Sequence, residues 1–138
     1  MSSRVCLSSY LAALLLTGLA ALLLTGCGDD GRYGLEGAIT FEGQPVLAGE
    51  ILLAPDTAQG NSGPGAMAKI KDGRYETSPG KGHTGGPHVL TITGYDGQGN
   101  PQSMLPDGEI LFRERKMDLD LPKESSAIDL EIPSDDSP

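Results

Sequence analysis

The sequence predicts an all-β domain, a small antiparallel Greek-key β-sandwich of about seven strands, preceded by a signal-peptide helix. Three observations predict it. Apolar and polar residues alternate with a period of two at both ends of the domain, in LEGAITFE from Leu35 and in KMDLDL and AIDLEI towards the C-terminus. Clusters of Gly, Pro, Asn, Asp and Ser punctuate the chain between such runs. No helical period follows the leading segment.

Residues 1–26 carry the parts of an export signal. Arg4 supplies a positive start, Leu11 to Leu24 is an uncharged Leu/Ala run with one Thr and one Gly, and small residues then precede a cysteine. A membrane-spanning helix needs about 20 apolar residues, and this run of 14 falls short. Leu24-Thr25-Gly26-Cys27 resembles the lipobox of bacterial lipoproteins. That resemblance implies that a peptidase recognises Leu24, Thr25 and Gly26, cuts before Cys27, and leaves a diacylglyceryl thioether on the Cys27 sulfur. An uncut anchor and an ordinary secretory signal are the alternatives. With Cys27 lipidated, the membrane is a partner through that lipid, and the domain belongs to the cell envelope, facing the periplasm or the exterior. Buried acyl chains contribute roughly 0.8 kcal/mol per methylene, so two chains anchor where one does not.

The cysteine count agrees. Of the two cysteines, Cys6 leaves with the signal and Cys27 is consumed by lipid. The mature 112 residues then offer no disulfide, thiolate nucleophile or cysteine metal site. Loss of Arg4 moves the formal charge from −9 to −10. So acidic a domain argues against nucleic acid as a partner and against electrostatic docking on anionic lipid.

Cys27 to Gly34 is a glycine-containing polar tether, 35–132 the sandwich, and 133–138 a disordered acidic tail. Within the sandwich, Leu35, Ile39 and Phe41 share one face of the first strand, and Gly43-Gln44-Pro45 turns the chain. Glu50–Ala54 is the second strand and Pro55–Gly65 a loop. Ala66–Ile70 and Arg74–Thr77 flank a Lys71-Asp72-Gly73 hairpin turn, and Asp and Gly tolerate the positive φ it needs. Ser78–Pro87 is a loop, and His88–Tyr95 a strand with Leu90 and Ile92 on one face. Asp96–Gly108 is a loop, Glu109–Phe112 a short strand, and Lys116–Leu121 a further one with Met117, Leu119 and Leu121 inward. Ala127–Ile132 turns Ile128, Leu130 and Ile132 inward. It leaves Asp129 outward, where alanine should be nearly silent. Glycine and proline make up 28 of the mature 112 residues, close to a disordered composition. The sustained alternation decides for a fold.

GAITFEGQPV (Gly37–Val46) followed by AGEI (Ala48–Ile51), then IKDGRY (Ile70–Tyr75) and GPHVLTI (Gly86–Ile92), resembles carboxypeptidase regulatory-like, or transthyretin-like, β-sandwich domains. The resemblance covers about 95 residues. His88 stands where that family usually buries a tyrosine; either histidine takes its place or the register is off by one. The resemblance implies a non-catalytic module, since such domains accompany peptidases, receptors and transporters.

Chemistry-bearing residues are sparse. His83 and His88 are the only histidines, and a zinc site wants three or four ligands; solvated or packed rings are expected. Asp96-Gly97-Gln98-Gly99-Asn100 has faint calcium-loop character, but Pro101 and Asp107 stand where an EF-hand needs Gly and Glu. A flexible hairpin loop is expected there. No G-x-S-x-G elbow and no H-x-x-E occur. Asn61 and Asn100 both fall in loops, away from any isopeptide geometry, and Phe41 and Tyr75 read as core. The expectation is a lipid-anchored, non-enzymatic module in a structural or protein-interaction role, with no catalytic residue, metal or cofactor. A small-ligand or calcium carrier is the alternative. A hydrolase stands last.

Overall fold

Where apolar side chains alternate with polar ones, only a strand lays all of them on one side. A computed structural model of the protein describes residues 31–134. The expected signal peptide with Leu24, Thr25, Gly26 and Cys27, and the last four residues of the acidic tail, lie outside the described residues.

Nine strands follow in order: β1 (Leu35–Phe41), β2 (Gln44–Pro45), β3 (Ala48–Pro55), β4 (Ala66–Lys71), β5 (Arg74–Thr77), β6 (Gly86–Tyr95), β7 (Ile110–Leu121), β8 (Ser126–Ala127) and β9 (Leu130–Ile132). They join in one curled sheet ordered β2-β1-β5-β4-β3-β6-β7, with β8 and β9 both on β1. β3, β4 and β5 run as a meander, and β1 lies beside β5 although β3 and β4 intervene in sequence. This is a Greek-key order. The fold is all-β and mostly antiparallel, as the alternation required.

The core fills the inside of the curl. Leu35 and Ile39 of β1, Ile51 and Leu53 of β3, Ile70, Tyr75, Leu90 and Ile92 meet there with Leu130 and Ile132 of β9. Phe41, Met117, Leu119 and Ile128 pack against its margin. Phe41 meets Phe112 with ring centroids 4.9 Å apart. Fully burying an aliphatic side chain of this kind stabilises by about 1.5–3 kcal/mol.

Three local expectations are corrected. Glu109–Phe112 and Lys116–Leu121 are one twelve-residue strand, β7, and not two. The pairs Ile92↔Arg115 and Gly94↔Phe112 leave an extra residue on β7, and Glu114 adopts φ 46° at that bulge. The bulge flips the alternation, so Phe112 and Leu121 both face inward although they differ in phase. The last segment is two short strands, β8 and β9, which pair with β1 in parallel. Between them the Tyr75 hydroxyl donates to the Ile128 carbonyl. The Asp129 carboxylate accepts from Ala38 N at 2.8 Å, so Asp129 is no idle surface residue.

Candidate functional site

The two ends of the strands carry different chemistry. At one end lie Leu35, Thr77, Ala66, Gly86 and Leu121, joined through the pairings Glu36↔Glu76, Ala68↔Thr77, Leu53↔Ala66, Pro55↔His88 and Gly86↔Leu121. The described chain enters here. The Arg32 guanidinium donates to the carbonyls of Gly82 (2.9 Å), Gly65 (2.8 Å) and Lys81 (3.3 Å). Tyr33 and His83 exchange both backbone hydrogen bonds, at 2.8 and 2.9 Å. The stem of the expected tether is therefore stitched to the 78–87 segment rather than hanging free.

That segment holds His83, and His88 follows directly beyond it on β6; both are buried. Their rings meet edge to face with centroids 5.9 Å apart. Gly85 N donates to His83 Nδ1 at 3.1 Å, so the neutral ring carries its proton on Nε2. His88 Nδ1 lies 2.9 Å from the Gly86 carbonyl, which can only accept, so its proton sits on Nδ1 and its Nε2 keeps a lone pair. These tautomers are assigned from the hydrogen bonds. His83 Nε2, His88 Nε2 and Thr84 Oγ1 are buried with no hydrogen-bond partner. Burial, and then His88, holds the His83 ring below the usual imidazole basicity.

The pair suits a metal poorly. His88 has the arrangement of a ligand, its Nδ1–H held by a carbonyl and its Nε2 lone pair open. His83 is the reverse; to bind through Nε2 it would have to turn an Nδ1–H against the Gly85 N–H. Among the described residues no group of three or more His, Cys, Asp or Glu could hold a metal ion. The neighbouring Asn61 is structural: its Nδ2 donates to the carbonyls of Gly85 (3.0 Å) and Pro87 (2.6 Å), tying the 56–62 loop to the start of β6. His88 fills an inward position of β6 with Leu90 and Ile92, so at this point a histidine is the buried residue.

The other end of the strands carries residues 96–108 between β6 and β7. Asp96 Oδ1 accepts from Gln98 N at 2.8 Å and Glu109 N at 3.0 Å. Gly97 N donates to the Asp107 carbonyl, and Asn100 and Leu105 form an isolated bridge. Asn100 Oδ1 caps the 3₁₀ turn Pro101–Ser103 through Gln102 N, and Ser103 Oγ returns to the Asn100 carbonyl. The loop is thus built from its own hydrogen bonds rather than slack. Its calcium-like carboxylate already has two backbone donors.

What the loop displays is apolar. Met104 adopts φ 57° and is 90 % exposed. Leu105, Ile110, Leu111 and Leu47 are exposed as well. Met104 and Leu105 line a shallow pocket of about 340 Å³ with Gly99, Pro101 and Pro106. A left-handed backbone at a non-glycine residue is disfavoured, and here it turns a large apolar side chain to solvent. Sequence reading missed this tip. The one signal for it was an unbroken Met-Leu pair inside a polar loop bracketed by Pro101 and Pro106.

The chain matches no protein-family model, no curated protein and no solved structure.

Proposed function

We propose that this is an exported lipoprotein, anchored in the cell envelope through lipid on Cys27, whose transthyretin-like sandwich is a non-catalytic interaction module that meets a protein partner through its distal tip. The observation that carries the reading is the apolar loop end, Met104 with Leu105, braced by hydrogen bonds to Asp96 and Asn100 at the strand ends opposite the Arg32–Tyr33 stem. Exposed apolar groups are ordinary when scattered; a cluster on a self-supported, strained loop marks a contact surface. The Leu24-Thr25-Gly26-Cys27 sequence supports the anchor, and the lone mismatched histidine pair supports a role without catalysis. Anchored at one end, the domain would hold its tip away from the membrane.

Photo-crosslinking in intact cells tests both halves. A photoreactive residue replacing Met104 should yield a specific protein adduct that the same residue at Lys123, exposed at the stem end, does not. The mature N-terminal peptide should carry the lipid mass on Cys27. Equal adducts from both positions would remove the tip, and an unmodified Cys27 would remove the anchor.

A further inference from the structure

The outer face of β3 and β4, beside the stem, differs from the rest of this acidic chain. Leu52 and Met67 are cross-strand partners there, 43 % and 47 % exposed. They floor a shallow groove of about 700 Å³. Its charged lining residues are Arg32, Lys69 and Lys81, and no carboxylate lines it, although the chain has 19 Asp and Glu against 10 Lys and Arg. Glu50 and Glu76 stand opposite Lys69 on the neighbouring strands but line no part of the groove. An apolar floor with a cationic rim is the surface chemistry of the bilayer interface, where apolar groups sink to the acyl boundary and cations meet phosphates.

Tether length selects the occupant. Arg32 is five residues beyond Cys27, so even a fully extended chain keeps its Cα within about 18 Å of the Cys27 Cα. Arg32 is also fixed, since its guanidinium bridges the carbonyls of Gly65, Lys81 and Gly82 at the groove's rim. We propose that the Leu52–Met67 groove, rimmed by Arg32, Lys69 and Lys81, rests on the anionic phospholipid headgroups of the membrane that holds the anchor, and so sets the domain's orientation. The proposal rests on the lipid-anchor reading. The acidic remainder of the surface is repelled by the same headgroups, which sharpens the choice of face. The lipid supplies attachment; the groove supplies direction.

The test uses the full-length protein matured in a lipidating bacterial host and reconstituted in vesicles of phosphatidylcholine with or without phosphatidylglycerol. With Cys6 removed and Cys27 acylated, Met67→Cys provides the single free thiol for a fluorophore, and Gln102→Cys in the opposite loop is the control. Flotation and the mass of the N-terminal peptide report the anchor independently. The expected result is severalfold stronger quenching of the Met67 label than of the Gln102 label by headgroup nitroxides, in phosphatidylglycerol vesicles. Lys69→Glu with Lys81→Glu should bring the Met67 signal down to the control while flotation stays unchanged. Equal quenching at both positions, or indifference to the charge reversal, would overturn the groove and leave the anchor standing. A Met67 label open to aqueous quencher in phosphatidylglycerol vesicles but shielded in the native envelope would overturn it in favour of a protein occupant. A Cys27 without lipid would overturn both.

Discussion

The His83 and His88 rings, buried edge to face with centroids 5.9 Å apart, set how the domain responds to pH. As two letters in a glycine-rich stretch they read as solvated or packed rings; folded, they are buried against each other with complementary protons and no partner for either Nε2. Near them lie Arg32 on the Gly82 carbonyl, Lys123 against Gly85, the Tyr33 ring 5.8 Å from His83, and Asp56, whose N–H donates to the Pro87 carbonyl. The His83 pKa is lowered from the usual 6.5 by burial and then by His88. With the folded pKa below the unfolded one, the unfolded chain binds more protons between the two. Stability is therefore fully present above pH 6.5 and declines as pH falls from there towards the folded pKa. Thermal melts from pH 7.5 down to 5.5 should show a falling midpoint, and His83→Asn should flatten that slope. The difference between the parent and His83→Asn profiles is the part of the slope that belongs to His83. A flat profile in the parent protein would contradict a lowered pKa at the buried His83.

At the scale of elements, strand existence was legible and strand joining was not. β1, β4 and β5 stand where alternation and the Asp72-Gly73 turn put them. Alternation alone splits β7, because its apolar phase breaks at Arg113–Glu114; a bulge restores the phase only when β6 is in place opposite. β8 and β9 add to β1 from some ninety residues away, a distance over which no turn signal exists. Gly37 permits the approach, since a Cβ there would fall onto the Ile128 carbonyl. Asp129 and Tyr75 then hold the seam: one accepts from Ala38 N, the other donates to Ile128 O. Burial, followed by the Asp129 charge, raises the Tyr75 phenol well above its ordinary pKa. Asp129→Ala should destabilise by about 1 kcal/mol through the lost charge-assisted bond. It should also lower the alkaline titration of Tyr75. Denaturant melts and an ultraviolet tyrosinate titration check the pair of effects; an unchanged denaturation midpoint would remove Asp129 from the seam.

At the scale of the whole molecule, the curl of one sheet gives the domain two unlike ends, the chain entering at one and Met104 displayed at the other. The carrier alternative is tested at this scale too, on a 96–108 loop whose Asp96 carboxylate accepts from two backbone N–H groups. Addition of calcium to about 1 mM, the range of weak extracellular sites, should leave the melting temperature unchanged. A rise of several degrees would return the loop to ion binding. The sequence by itself determined the fold class, the inward positions of most strands, and the lipobox-like segment. Those are local properties: period-two burial, turn residues with positive φ, and a short motif are written in neighbouring residues. Only the tertiary structure decided that two histidines share one buried spot, that Arg32 and Tyr33 clamp the stem, and that cations gather around Leu52 and Met67 in an acidic chain. Each depends on contacts between residues far apart in the chain, and long-range register is set by packing of the whole sheet rather than by any short run of residues.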